Sequence, residues 1–443
     1  MSDYRTISDG LAAEIASGAL PPGTRLPPQR QFAYERGIAV STASRVYAEL
    51  VRRGLVTGEV GRGTYIRGPA GIVTTVASEA ETGLINLEHV FSILPHQAAD
   101  LATSLRALLD PAELQATFPP VRPAATAQAR ESAAAFFQRG GWSSEPDRVL
   151  FTGAGRQGIA AAMAALVQPG ERIGVEALTY PVIRGLAARL GIVPVPLSVD
   201  ERGVRPDAIA AAQKQAPLRA LYLQTVLQSP LGHTMDEARR RTIADLLERH
   251  DIMGIEDAVY GFLCDEEPLA AMAPNRVILV DSLSKRLAPG LSLGFVAAPA
   301  ALVDRLARII RNGAWTVSGL PLAMAIHVIN DGLAERIGRA KRTDAAARQT
   351  LAREALSGLD VQGDPRAYHL WLTLPGAWNA DRYAAAAARN GVAVSPASAF
   401  AIDSAAAPNG VRLALGSPPM ARLASALQIL RRLAIEGEDS QVE

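Results

Sequence analysis

The spacing of apolar positions changes along the chain, and each change marks an element. Near the N-terminus Ile7, Leu11 and Ile15 recur every fourth residue, the stripe of one amphipathic helix with Gly18 as its stop. A second helix is predicted from Pro27-Pro28-Gln29-Arg30, where proline is tolerated in the first turn, to Gly37. A third begins at Ser41-Thr42 as N-cap and sets Ala43, Val46, Tyr47 and Leu50 on one face. After Gly54 the runs Leu55-Val56-Thr57 and Thr64-Tyr65-Ile66 flank a glycine-rich turn, which predicts a β-hairpin. From Pro69 to about Gly83 the residues are small, rich in Thr and Ala and without period, as in a linker. Beyond it short apolar runs alternate with long Ala/Leu/Arg segments of helical period. The strand candidates are 149–152, 172–176, 220–224, 252–257, 276–281 and 293–298. That alternation predicts an α/β domain with a mainly parallel sheet. The expected division is a small α+β domain at 1–68, a linker at 69–83, the large domain at 84–436 and an acidic tail at 437–443.

Composition narrows the function classes. A formal net charge of +1 over 443 residues gives no global nucleic-acid signal, so a basic surface must be local. Cys264 is the single cysteine and no apolar segment follows a basic start, which leads us to expect a cytoplasmic protein without disulfides. The longest apolar stretches, such as 158–167, reach only half of the roughly 20 residues that span a bilayer, so no membrane span is expected. His89, His96, His233, His250, His327 and His369 lack the spacing of metal ligands, and no metal site is expected.

In the N-terminal segment the third helix would offer Ser41, Thr42, Ser44 and Arg45 to a major groove. Arg30 and Arg62 would reach phosphates or the groove of double-stranded DNA. A three-helix module that binds protein fits the same pattern. Residues 18–33, Gly-Ala-Leu-Pro-Pro-Gly-Thr-Arg-Leu-Pro-Pro-Gln-Arg-Gln-Phe-Ala, then Val40-Ser-Thr-Ala-Ser-Arg-Val-Tyr and Gly61-Arg-Gly-Thr-Tyr, resemble a GntR-type winged helix-turn-helix. Val40 stands where many members of that family carry arginine at the start of the recognition helix.

In the large domain Val149-Leu-Phe-Thr-Gly-Ala-Gly-Arg-Gln-Gly is a strand leading through glycines into a helix, whose free N–H groups favour a phosphate. Alone, that turn reads more readily as plain connection chemistry. Two further strand ends lie downstream, Ile255-Glu-Asp257-Ala-Val-Tyr260 and Ser282-Leu-Ser284-Lys285, and strand ends of such sheets open on one crevice. A lysine there can bind an aldehyde cofactor covalently, and an aspartate can hold a pyridine nitrogen protonated. Together the three point to pyridoxal phosphate.

From about Leu84 onward the chain resembles a fold-type I aminotransferase, and its fusion to a GntR-type winged helix resembles the MocR subfamily of transcription regulators. The resemblance implies pyridoxal 5′-phosphate on Lys285, Asp257 against the pyridine nitrogen, Tyr260 and Ser229 toward the ring hydroxyl, and Tyr180 stacked on the ring. It also places Ala154, Gly155, Arg156 and Gln157, with Ser282 and Ser284, around the phosphate. Arg412 would clamp the carboxylate of an amino-acid effector, for which a bidentate guanidinium is suited. Three positions depart from the family pattern. Ser229 replaces an asparagine, Ser292 an arginine of the phosphate site, and Phe118 a tyrosine that often reaches the partner subunit's phosphate. Arg286 and Arg156 are the candidate substitutes. The expected function is a homodimeric DNA-binding regulator that senses the cofactor, or an amine or amino acid exchanging with it. The competing readings are a working aminotransferase with an attached DNA module and a cofactor-free dimerisation platform.

Overall fold

The computed structural model describes residues 4–17, 19–21, 24–53, 55–59, 63–66 and 83–437. The predicted stop at Gly18, the turn residue Arg62, the linker up to residue 82 and the tail beyond Gly437 lie outside them. Helices α1 (Tyr4–Ala16), α2 (Gln29–Arg36) and α3 (Val40–Arg52) pack around Leu11, Phe32, Ala43, Val46, Tyr47 and Leu50. Gly37 closes α2 in the left-handed region at φ 62°, where a side chain would be strained.

The predicted N-cap of α3 is corrected. Ala39 holds that position, and its carbonyl accepts the amides of Thr42 and Ala43, so Ser41 and Thr42 fall inside the first turn. The hairpin forms from β2 (Val56–Glu59) and β3 (Gly63–Ile66), and β1 (Arg25–Leu26), which periodicity did not show, adds a third antiparallel strand against β3. Two residues are too few to display a period.

The large domain is built on a seven-stranded sheet. Its order is Val149–Thr152, Gly294–Ala297, Val277–Ser282, Met253–Asp257, Leu218–Leu223, Arg172–Glu176 and Val193–Leu197. All pairs are parallel except the two made by Gly294–Ala297, which runs against both neighbours. The strand Val193–Leu197 was not among the candidates because it sits at the sheet edge, and its alternating prolines break the apolar run. Apolar cores cover both faces, one containing Phe151, Leu221 and Phe295 and the other Leu150, Ile173, Tyr222 and Val296. A sheet covered on both sides reads as continuous apolar runs, which is why its central strands were legible.

The 23-residue helix Leu333–Ala355 leads from the large sheet to a C-terminal layer. There the strands Val361–Gln362, His369–Thr373, Gly410–Ala414 and Ser395–Pro396 make an antiparallel sheet backed by Ala380–Arg389 and Met420–Glu436. The adjacent strand pair Ile85–Asn86 and Val392–Ala393 ties the start of the domain to this layer and delivers residues 87–91 to the crevice between layer and large sheet.

Candidate cofactor site and DNA-facing surface

Three strand ends of the parallel sheet supply one wall. The fully buried strand Val149–Thr152 feeds Gly153 and Ala154 into the helix Gly155–Leu166. Ala154 is the N-cap in extended conformation and no side chain caps the turn, which leaves the leading amides for an anion. A Cβ on Gly155 would stand 2.9 Å from Cβ of Ser282, so this helix start sits directly against the next strand end. A Cβ on Gly153 would meet Oε1 of Gln157 at 2.7 Å, and that oxygen is buried without a partner. Ser282 Oγ accepts the amide of Ser284 at 3.1 Å and donates to Ser284 Oγ at 3.0 Å, capping the one-turn helix Leu283–Arg286. Two glycines that leave space and two hydroxyls beside bare amides fit a phosphate group.

Lys285 rises from that helix into the crevice. Its Nζ donates to the Val90 carbonyl at 2.8 Å and lies 4.0 Å from the Phe91 ring centre and 5.8 Å from that of Tyr260. Burial and then the Arg412 charge push its amine down to about 7, against the pull of Asp257. Asp257 ends the strand Met253–Asp257. Its Oδ2 accepts from the Tyr222 hydroxyl at 2.6 Å and from Nε2 of Gln224 at 3.2 Å, while Oδ1 accepts the Val259 amide at 3.2 Å. Burial still pushes this carboxyl up to about 6.

Tyr260 is buried with its ring 5.5 Å from that of His369. Tyr180 is half-buried, and desolvation pushes its phenol up to about 12 although Arg156 and Arg412 oppose the shift. Arg412, in Gly410–Ala414, is buried with its guanidinium 4.6 Å from the Phe400 ring centre. Nη1 donates to Ser229 Oγ at 3.0 Å, Nη2 donates to the Glu88 carbonyl, and Nε is buried without a partner. Thus Lys285, Asp257, Tyr180, Tyr260, Arg412, Ser229 and the Ala154–Gln157 and Ser282–Ser284 segments converge on one crevice.

Arg286 does not join them. It is turned away from the cradle and buried between Phe136 and Phe262, 3.7 and 5.4 Å from their ring centres, where burial lowers it to about 10. Its candidacy as a phosphate ligand is therefore corrected: on a helix of one turn, the residue after Lys285 faces the core. Arg156 is exposed at the helix start, Ser292 is half-buried, and Phe118 is 72% exposed on the surface. Tyr222, Gln224 and Lys341 escaped the sequence reading. The first two lie in an apolar strand and its exit, with no motif around them. Lys341 occupies the buried stripe of Leu333, Ile337, Ala345 and Ala352, and a stripe broken by a lysine was the available signal.

On the small domain Arg30, Ser41, Ser44 and Arg45 are exposed and Thr42 is half-buried. No ion pair between described residues involves Arg25, Arg30 or Arg45, whereas Arg52 and Arg53 are held by Glu49 and Asp9. Val40, at the head of α3, is 49% exposed. Among the described residues no group of His, Cys, Asp and Glu is arranged to hold a metal ion, and no helix is long and apolar enough to cross a membrane.

The chain matches two family models, bacterial regulatory proteins of the gntR family over residues 3–66 and aminotransferase class I and II over residues 107–430. It is 31% identical over 436 residues to the uncharacterized HTH-type transcriptional regulator YdeF of Bacillus subtilis, covering 97% of this chain and 94% of that protein. It is 26% identical over 301 residues to the HTH-type pyridoxine biosynthesis transcriptional regulator PdxR of Corynebacterium glutamicum, covering 66% and 65% of the two chains. The kynurenine aminotransferase of Pyrococcus horikoshii superposes with a TM-score of 0.74 over 84% of this chain and 96% of its own, at 19% identity, a likeness of fold. Class I and II aminotransferases depend on pyridoxal 5′-phosphate, the cofactor that the Lys285, Asp257 and glycine-turn constellation calls for. The chain belongs to the transcription regulators that join a GntR-type winged helix to a class I and II aminotransferase domain, the arrangement of the MocR subfamily.

Proposed function

We propose that this protein is a homodimeric, cytoplasmic DNA-binding regulator whose aminotransferase-like domain holds pyridoxal 5′-phosphate on Lys285 and senses the cofactor or an amine or amino acid that exchanges with it. The observation that carries this reading is the convergence of Lys285, Asp257 and Arg412 in one buried crevice, in a chain whose α3 leaves Arg45 exposed and without an ion pair among the described residues. When bound, the cofactor supplies an aldehyde that takes amines covalently and a ring that withdraws electrons.

The residues divide the work by chemistry. With its amine near 7, a large share of Lys285 is uncharged at neutral pH, the form that attacks a carbonyl. Asp257 is oriented by Tyr222, Gln224 and the Val259 amide, which hold it for one nitrogen at the floor of the crevice. Tyr180 would stack on the ring and Tyr260 would reach its hydroxyl. The phosphate would rest on the Gly155 and Arg156 amides, with Gln157 and the hydroxyls of Ser282 and Ser284. Arg412 can exchange its Ser229 and Glu88 contacts for an effector carboxylate, whose two oxygens would answer the unpartnered Nε. With Ser292 short and Arg286 withdrawn, the phosphate keeps fewer cationic contacts than the family pattern supplies, which suits reversible occupancy over steady turnover.

Ile93, Leu109, Phe118 and Leu320 are exposed apolar side chains available to a subunit interface. A dimer would present two copies of α3 to two half-sites. Ligand in the crevice would have to stabilise one domain arrangement over another, a coupling of typically 5- to about 150-fold in affinity. The test selects a duplex from a random pool with the full chain and compares its affinity with cofactor loaded, cofactor stripped, and loaded plus amino acids. A change that disappears in Lys285→Ala supports the proposal. A selected duplex bound equally in every state refutes sensing, and failure to select any duplex refutes DNA binding.

A further inference from the structure

The helix that carries Lys285 has only one turn, Leu283–Arg286, so nearly all of its carbonyls must find donors outside it. The Leu287 amide closes the turn on the Leu283 carbonyl at 2.7 Å. The carbonyls of Lys285 and Leu287 are then taken by one side chain, Lys341, whose Nζ donates to them at 3.0 and 2.8 Å. Gln97 Nε2 adds a second donor to the Leu287 carbonyl at 2.9 Å.

Lys341 is fully buried, and among the described residues no carboxylate pairs with its ammonium. The carboxylate one turn on, Asp344, is occupied by Ser92, Tyr368 and Arg348 at 3.1, 2.9 and 2.8 Å. The single Tyr368 proton is shared between that carboxylate and the Lys341 carbonyl, 2.8 Å from the phenol oxygen. Burying an unpaired charge is costly, and a neutral amide would cap two carbonyls without that cost. Besides capping the two carbonyls, the lysine brings a charge that a neutral amide lacks.

We propose that Lys341 is a positioning residue for Lys285: it anchors the short helix by its C-terminal carbonyls and places a positive charge behind Lys285 that favours the uncharged amine facing the crevice. The groups facing Lys285 are Arg412 and Arg156, which act in the same sense, Asp257, which opposes them, the rings of Phe91 and Tyr260, and the Val90 carbonyl. The groups around Lys341 are Asp344, Tyr368 and Lys285 itself. Burial pushes Lys341 down to about 7, so its own charge fades as pH rises through neutrality. An arginine in its place would stay charged.

The inference rests on Lys285 as the cofactor lysine. The experiment mixes pyridoxal phosphate with cofactor-stripped full chain and follows, across pH, the rate at which the visible absorbance of the lysine-bound cofactor appears. Wild type, Lys341→Gln and Lys341→Arg are compared. Losing the charge should raise the midpoint of the rate profile in Lys341→Gln by about half a unit to one unit, slowing the reaction about 3- to 10-fold below the midpoint. Lys341→Arg should keep the wild-type midpoint or lower it, and it decides the matter if the glutamine variant does not fold. A midpoint unmoved in Lys341→Gln, or raised in a folded Lys341→Arg, overturns the charge role. Absence of the absorbance in wild type overturns the cofactor reading instead.

Discussion

Tyr222→Phe removes one hydroxyl and leaves the ring that fills the core, so its effect isolates a single hydrogen bond. That bond is the shortest of the three that Asp257 accepts, 2.6 Å against 3.2 Å for Gln224 and 3.2 Å for the Val259 amide. In the folded chain Asp257 stands at about 6, against 3.8 for an exposed aspartate. A carboxyl raised in the folded state binds more protons there than in the unfolded chain. Stability therefore falls as pH climbs from the unfolded to the folded value and is flat for this group above it. A hydrogen bond to a charged group contributes about 1.5–3 kcal/mol, and one pKa unit corresponds to about 1.4 kcal/mol, so its loss carries the titration to roughly 7–8. Near pH 5 the carboxyl is protonated in both proteins and they should differ little. By about pH 8.5 the variant should have lost about 1.5–3 kcal/mol more than wild type. Urea unfolding without cofactor measures this through tryptophan emission, since Trp142, Trp315, Trp371 and Trp378 all lie in the large domain. The difference between variant and wild type cancels the other titrating groups. A difference that is the same at both pH values would refute the assignment of Tyr222 as the donor that keeps Asp257 ionisable.

Two further outcomes follow from the cradle and from α3. Ser292→Arg should tighten pyridoxal phosphate by about 10- to 150-fold if the added guanidinium gains about 1.5–3 kcal/mol from the phosphate, measured by equilibrium dialysis; unchanged affinity would place the phosphate elsewhere. Arg30→Ala should weaken every duplex alike and reduce the slope of log affinity against log salt by about 1, as expected for a lost phosphate contact. An unchanged slope would remove Arg30 from the backbone contacts.

The parts of the molecule that were legible before folding were those whose pattern is local. Ala43, Val46, Tyr47 and Leu50 announced α3, and the apolar runs at 149–152 and 252–257 announced strands buried on both faces. Lys285, Asp257 and the glycine turn lie at strand ends, where α/β sheets gather their chemistry, so their convergence could be read from order along the chain. What escaped depended on tertiary packing. Arg286 follows Lys285 directly, yet the one-turn helix points it between Phe136 and Phe262. Lys341 sits in an Arg-Ala-Lys-Arg stretch that reads as a solvated face until the neighbouring carbonyls of Lys285 and Leu287 are seen. Tyr222 is apolar by pattern, and only the sheet register, which pairs it with Ile255, brings its hydroxyl to Asp257. The cap of α3 moved two residues because Ser41 and Thr42 are good caps in any context, while the chain direction after Gly37 made Ala39 the one in extended conformation.

The central claim is that Lys285 holds pyridoxal phosphate in the crevice, and one spectrum tests it most directly. The full chain and Lys285→Ala are each incubated with the cofactor, dialysed, and scanned for the visible absorbance of pyridoxal phosphate bound to lysine. The account predicts a band retained by the wild type and missing from the variant. A wild type that loses all visible absorbance on dialysis, or a variant that retains it equally, would contradict the account.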